Sequence, residues 1–239
     1  MDYAIFVEIL TQPEATQHHA LRQLARTQPQ GYYYALAESV RMEKELPRKA
    51  LQTACLVALE QFQGWALEDS LYLLNDLMDE TLLLRLVPYL KAQRVFRSKI
   101  LLSVVAQHEA PELLRQRART LLCIAELQVP VLLALVSWGD QNHLTALMAH
   151  AHNSNATYTL RIFAALSAHS DQKAVQAFLW QSLTGEYAEF IKGLAAGAFT
   201  QATDYLEPLT HLLQTTEQTD WVQWNLRRAI AALSSTSPF

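Results

Sequence analysis

The most constraining feature of this 239-residue chain is a period of 31 positions in its second half. Leu144, Val175 and Leu206 mark equivalent positions in three successive units. Other apolar positions repeat at the same spacing, namely Leu147/Phe178/Leu209, Met148/Leu179/Thr210, Leu160/Ile191/Val222, Ala164/Ala195/Leu226 and Ala168/Phe199/Ile230. Each unit therefore carries two apolar stripes with helical spacing, which is typical of a repeated pair of helices.

One such pair cannot bury both of its stripes, so successive pairs are expected to stack on one another. The sequence therefore predicts an all-α protein, specifically a right-handed α-solenoid of stacked antiparallel helix pairs with about 14 helices. The positions that we expect to be buried between stacked units are Leu147, Leu179, Leu209, Ala164, Ala195 and Leu226.

The same period defines the expected domain organisation, which is a single domain over residues 1–239. Residues 142–233 hold the three regular repeats, and residues 234–239 are expected to form a frayed tail. Residues 1–141 are expected to form less regular hairpins, because Arg117 falls where the period requires an apolar side chain.

Composition agrees with a helical protein. Six glycines in 239 residues are few against an average usage of roughly 7%. Glycine and proline mark β-turns, so their scarcity argues against many short strands joined by hairpins. The net charge of −4 and the pI near 6.1 provide no overall positive field for nucleic acid.

Several features predict a cytoplasmic protein without a membrane span. The N-terminus lacks a basic region ahead of its first apolar stretch, which is unlike a signal peptide. No window reaches about 18 uncharged apolar residues. Cys55 and Cys123 both lie in apolar runs, so we expect two buried thiols in a reducing compartment.

The last repeat carries a family resemblance. Residues 205–235 read YLEPLTHLLQTTEQTDWVQWNLRRAIAALSS, with a proline early in the first helix and a run of small and apolar residues in the second. This repeat resembles a HEAT repeat of the short kind found in bacterial solenoids and in phycobilisome-lyase-type proteins. The resemblance covers residues 144–233 well and 46–127 loosely, and Ser234 stands where a glycine usually follows the second helix. It implies stacked helical hairpins with a concave surface that holds another protein.

Motifs for catalysis are missing from the sequence. It contains no glycine-rich phosphate loop, no nucleophile elbow and no HExxH pair, so we predict no catalytic residue, no cofactor and no metal. Three acidic residues lie close together at a helix junction, namely Asp76, Asp79 and Glu80. Capping a helix is a simpler role for them than general acid–base catalysis. His150 and His152 lie two positions apart and therefore point in different directions on a helix, so we do not expect them to bind one metal ion together.

A basic stretch between residues 91 and 119 is the one notable charge feature. Its members are Lys91, Arg94, Arg97, Lys99, Arg115, Arg117 and Arg119, against Glu109 and Glu112, for a local net charge of +5. Second helices of stacked units line one face, so Arg94, Arg97 and Arg117 could converge there and bind an acidic peptide or a nucleic-acid backbone. A solvated helix face explains these charges equally simply. The candidate binding residues are Lys91, Arg94, Arg97, Arg117 and Arg119.

Two classes of function follow. The first is a non-enzymatic scaffold or adaptor that binds a protein partner on the concave face, since stacked hairpins create such surfaces. The second is a HEAT-like DNA-binding enzyme of the alkylpurine DNA glycosylase type, which Trp221, Trp224 and the basic stretch loosely suit. The acidic total charge disfavours nucleic acid. A chromophore-lyase subunit is a third idea that rests on analogy of fold alone.

Overall fold

The computed structural model describes residues 3–42, 46–215 and 217–236, and within these ranges it is all-helical, with no strand. This confirms the predicted all-α class. The chain divides into two compact units, residues 1–134 and 135–239. The described parts of the chain contain no helix that is long and apolar enough to cross a membrane.

The first unit contains helices α1 to α8 and most of α9. Their bounds are α1 (Tyr3–Leu10), α2 (Glu14–Thr27), α3 (Pro29–Arg41), α4 (Arg48–Gln61), α5 (Gly64–Asp76), α6 (Glu80–Leu86), α7 (Val95–Val105), α8 (Glu112–Arg119) and α9 (Gln128–Ser137). Short 3-10 turns cover Val87–Tyr89, Ala92–Arg94 and Ala125–Leu127. Prolines at 29, 47 and 111 lie at or just before helix starts, where the missing N–H costs nothing.

Helix α4 is the centre of the first unit. Every residue from Ala50 to Leu59 is buried, including the polar Gln52 and Thr53. A helix that is buried on all sides must be surrounded by others, and α4 contacts α1, α2, α3 and α5. Tyr32 of α3 packs against it, and its hydroxyl donates to the Ala54 carbonyl at 2.8 Å. The C-terminal end of α4, with Glu60 and Gln61, is less buried.

The second unit contains the end of α9 and six further helices. These are α10 (Leu144–His150), α11 (Ala156–Ser167), α12 (Lys173–Thr184), α13 (Glu189–Gly197), α14 (Leu206–Thr215) and α15 (Asp220–Thr236). Neighbours in sequence pack together, α10 with α11, α12 with α13 and α14 with α15. In addition α10 contacts α12, α11 contacts α13, and α13 contacts α15. Of the predicted tail, residues 234–236 belong to α15, and residues 237–239 lie outside the described residues.

The predicted core is confirmed at five of its six positions. Leu147, Leu179, Leu209, Ala195 and Leu226 are all fully buried. The prediction for Ala164 is wrong, because this residue is exposed. Helix α11 buries Thr159, Ile162, Phe163 and Leu166 instead. The bulky Phe163, next to Ala164 in sequence, has far more apolar area to bury than an alanine, so it determines which face of α11 turns inward.

The expectation of two buried thiols is correct for Cys55 and wrong for Cys123. Cys55 lies in the buried centre of α4, and burial raises the pKa of its thiol. Cys123 is exposed because it follows α8 in a run of turns over residues 120–124 rather than continuing a helix.

Candidate binding site

A groove of about 670 Å³ in the first unit brings together much of its basic charge. We call it the basic groove, and its lining residues are His18, Arg22, Leu56, Glu60, Gln61, Arg85, Pro88, Tyr89, Lys91, Arg94 and Arg97. Five of these side chains are cations and one is a carboxylate. The groove therefore has a strong local excess of positive charge in a chain whose net charge is −4.

The end of α4 holds two of these cations, Arg22 and Arg97. The last carbonyls of a helix have no partner within the helix and carry a partial negative charge, which attracts basic side chains. Arg97 Nη2 donates to the Phe62 carbonyl just beyond α4 at 3.3 Å. Arg22 of α2 reaches Glu60 of α4, with Nε donating to Oε2 at 2.6 Å.

Glu60 is already fully engaged within the groove. Its Oε2 accepts from Arg22, and its Oε1 accepts from the Tyr89 hydroxyl at 2.8 Å. Burial raises the pKa of Tyr89, and the hydrogen bond to Glu60 raises it further, so the phenol stays protonated and keeps donating. The carboxylate of Glu60 thus neutralises Arg22 and has no oxygen without a donor.

Four cations of the groove lack a carboxylate partner. Within the described ranges of the chain, Arg85, Lys91, Arg94 and Arg97 form no ion pair. Burial lowers the pKa of Arg97, and the neighbouring charge of Arg94 lowers it further. Glu60 acts on Arg97 in the opposite direction, but it is one carboxylate that is already paired with Arg22, so positive charge exceeds negative charge among the residues that line the groove.

A closed loop holds three of these cations in place. The hydroxyl of Ser98, which is fully buried, accepts from the Lys91 amide at 3.0 Å and donates to the Lys91 carbonyl at 2.9 Å. These bonds join the two ends of the segment that carries Lys91, Arg94 and Arg97. Arg117 of α8 supports the same segment, because its Nε donates to the Leu90 carbonyl at 2.8 Å.

The structure divides the candidate residues of the sequence into two groups. Lys91, Arg94 and Arg97 line the basic groove. Arg117 and Arg119 are not among its lining residues, since Arg117 bonds to Leu90 and Arg119 forms an ion pair with Glu112 at 3.0 Å. The stretch of positive charge in sequence therefore contributes only in part to the lining of the basic groove.

Sequence reasoning missed Arg22, Glu60 and Arg85, which come from three different helices. The one available signal was Glu60, a charge that ends the long apolar run of α4.

The predicted capping role of the acidic residues 76, 79 and 80 is confirmed for Asp79. Its Oδ1 accepts from the Leu82 amide at 2.7 Å at the start of α6.

A second cavity, lined in part by apolar side chains, adjoins the basic groove. This Phe96 pocket, of about 360 Å³, is lined by Gln63, Gly64, Leu67, Gln93, Arg94, Val95, Phe96 and Arg97. Arg94 and Arg97 line both cavities, so the two are neighbours. The ring of Phe96 is 54% exposed. Gly64 has a φ of +58°, a left-handed conformation that favours glycine in the turn between α4 and α5.

The second unit carries exposed aromatic rings. Trp221 and Trp224 stack at 5.9 Å, and the Arg228 guanidinium lies 4.6 Å from the Trp224 ring. Among the described residues, no group of three or more His, Cys, Asp or Glu side chains could hold a metal ion.

Comparison with protein-family models, with curated proteins and with solved structures found no match.

Proposed function

We propose that this protein is a non-enzymatic adaptor that binds an acidic segment of a partner protein in its basic groove. The observation that supports this proposal most is that four cations share one groove and have no carboxylate partner among the described residues. They are Arg85, Lys91, Arg94 and Arg97. Charged groups across a protein interface are arranged to be complementary, so such a groove fits an acidic chain.

We favour binding over catalysis because the one carboxylate of the groove, Glu60, is occupied by hydrogen bonds. A general base needs a carboxylate that is free to accept a proton from the substrate. Both Glu60 oxygens accept hydrogen bonds from Arg22 and Tyr89. In this proposal Glu60 orients the groove and takes no part in a reaction.

A protein partner is favoured over nucleic acid for two reasons. The adjoining Phe96 pocket offers an exposed aromatic ring and the apolar Val95 beside the cations, which suits a peptide with an apolar side chain next to its acidic ones. In addition, the net charge of −4 repels a long polyanion outside the groove. The glycosylase-type alternative remains a proposal of second rank, supported by the same cations.

We also propose that the paired helices are HEAT-like repeats stacked as in an α-solenoid. Supporting this within the second unit are the pairwise contacts α10–α11, α12–α13 and α14–α15 and the further contacts α11–α13 and α13–α15. In stacked hairpins, each second helix packs on the second helix of the next unit.

The proposal is tested with a labelled pool of nine-residue peptides that have three central glutamates and random flanking residues. Replacing Arg94 and Arg97 together by Glu should weaken binding by at least about tenfold, the order expected when charged contacts are reversed. Binding that remains should depend less on salt, because fewer charge contacts are screened. Helix content should be retained, whereas the melting midpoint should fall because Arg97→Glu loses the hydrogen bond to the Phe62 carbonyl; binding is therefore compared well below that midpoint.

The matched control is the double variant Lys173→Glu with Arg227→Glu. It makes the same change in net charge at two exposed positions of the second unit. This control should bind the peptide pool like the natural protein. Equal weakening in both variants would mean that net charge alone drives association, and tighter binding of a single-stranded DNA oligonucleotide than of the peptides would favour the nucleic-acid alternative.

A further inference from the structure

Two guanidinium nitrogens of the basic groove have no acceptor. Arg85 Nη1 and Arg97 Nε are both buried and have no hydrogen-bond partner among the described residues. Both side chains line the same groove. A buried donor without an acceptor is costly, so the presence of two in one groove indicates a site whose acceptor comes from a ligand.

Each of these guanidinium groups is held by another of its nitrogens. Arg85 Nη2 donates to Thr53 Oγ1 at 3.1 Å, and Arg97 Nη2 donates to the Phe62 carbonyl at 3.3 Å. Thr53 and Phe62 belong to α4 and its C-terminal cap, the most buried part of the unit. The two guanidinium groups are therefore held at the groove, and a small side-chain rotation is needed to present their buried nitrogens to a ligand.

The charge that the site lacks is more than that of one carboxylate. Glu60 compensates Arg22, while Arg85, Lys91, Arg94 and Arg97 remain without an anion among the described residues. A carboxylate offers one negative charge and two oxygens. A phosphate monoester offers a charge between about −1.5 and −2 and three strong acceptor oxygens.

We propose that the basic groove recognises a phosphate monoester, and that the partner segment is therefore a phosphorylated peptide. Once that rotation has exposed them, Arg85 Nη1 and Arg97 Nε donate to the phosphoryl oxygens, and Arg94 and Lys91 supply the remaining charge. The inference rests on the proposed function, because it names the chemistry of the acidic group that the same groove binds. Arginine suits this role because its planar donors match the geometry of phosphate.

The test compares three pools of nine-residue peptides, with a central phosphoserine, glutamate or serine and the same random flanking residues. Affinities are measured by titration calorimetry, with inorganic phosphate as a competitor. The phosphoserine pool should bind the natural protein about tenfold more tightly than the glutamate pool, the order of one additional charged hydrogen bond. The serine pool should bind most weakly, and inorganic phosphate should displace the phosphoserine pool.

Two variants separate donor geometry from charge. Arg85→Lys and Arg97→Lys keep the positive charge but remove the planar guanidinium, so each should reduce the preference for phosphoserine over glutamate by about tenfold. Binding of the glutamate pool should fall by a smaller factor than binding of the phosphoserine pool, because the positive charge remains. Arg94→Lys is the comparison at an exposed position and should leave the preference in place, since Arg94 supplies charge rather than a fixed donor.

The outcomes are distinguishable. Equal affinity of the phosphoserine and glutamate pools for the natural protein overturns the phosphate assignment and leaves the proposed acidic-peptide function standing. Binding of neither pool overturns both. Because the comparison of pools uses the natural protein, it decides the phosphate assignment even if a lysine variant fails to fold.

Discussion

The environment of His152 couples pH to stability. Its ring stacks on Phe178 with centroids 5.2 Å apart, lies against Tyr187 at 4.2 Å, and its Nε2 is 2.9 Å from the Ser182 hydroxyl. That hydroxyl gives its one hydrogen to the Phe178 carbonyl at 2.8 Å. Its lone pairs are therefore open to a hydrogen on Nε2, which the imidazole can carry in either charge state, so burial alone accounts for the preference for the neutral ring.

Burial lowers the pKa of His152 in the folded protein below its ordinary value near 6.5. As the pH falls through about 6.5, the unfolded chain binds a proton at this residue before the folded one does, so stability falls. We expect the melting midpoint of the natural protein to drop more between about pH 7.5 and about pH 5.5 than that of His152→Gln. The other histidines are common to both proteins, so parallel curves would contradict this account of His152.

At the scale of helices, the α13–α15 interface depends on a close approach at Gly193. A Cβ at this position would overlap with the indole of Trp221 on α15. Gly193 is buried, whereas Trp221 is 42% exposed and stacks on Trp224. The glycine thus allows the indole to cover α13, and this packing sets the position of both tryptophans.

Gly193→Ala should therefore destabilise the protein even though alanine is the better helix former by about 1 kcal/mol. Overpacking of this kind costs about 1–3 kcal/mol, and tryptophan fluorescence should change as the indole moves. In a Trp221→Ala background the same substitution should instead be neutral or stabilising, because the overlap is gone. An equal cost in both backgrounds, measured by urea unfolding, would show that the indole is not responsible.

The helical class and much of the core were predictable from the sequence for a definite reason. A stripe of large apolar residues at helical spacing leaves few choices for the buried face, and Leu147, Leu179 and Leu209 are buried as expected. The second stripe was less informative. It contains alanines, which are small enough to lie on either side, and for Ala164 the neighbouring Phe163 decided the face.

The candidate site was predictable in part. Charge in the linear sequence pointed to Lys91, Arg94 and Arg97, which do line one groove. It pointed equally to Arg117 and Arg119, whose partners are the Leu90 carbonyl and Glu112. Arg22 lies 38 residues from Glu60 in sequence, and such a pairing depends on the packing of α2 against α4, which no local pattern records.

At the scale of the whole molecule, an acidic chain carries a basic groove. At low ionic strength the Debye length exceeds the size of the groove, so the net charge of −4 disfavours the approach of any polyanion. At physiological ionic strength, electrostatic effects act over only about 8 Å. Recognition is therefore expected to be local, with the groove and the Phe96 pocket selecting short acidic segments rather than long polyanions.

The central claim is that acidic segments bind at the basic groove, and nuclear magnetic resonance mapping tests it most directly. The peptide pool with three central glutamates is titrated into the ¹⁵N-labelled protein. The signals of the backbone amides and of the arginine Nε–H groups are followed. The account predicts the largest shifts at Arg85, Arg94 and Arg97 and in residues 60–64 and 87–98. Shifts confined to the second unit, for example around Trp221 and Trp224, with unchanged Arg85 and Arg97 signals, would contradict it.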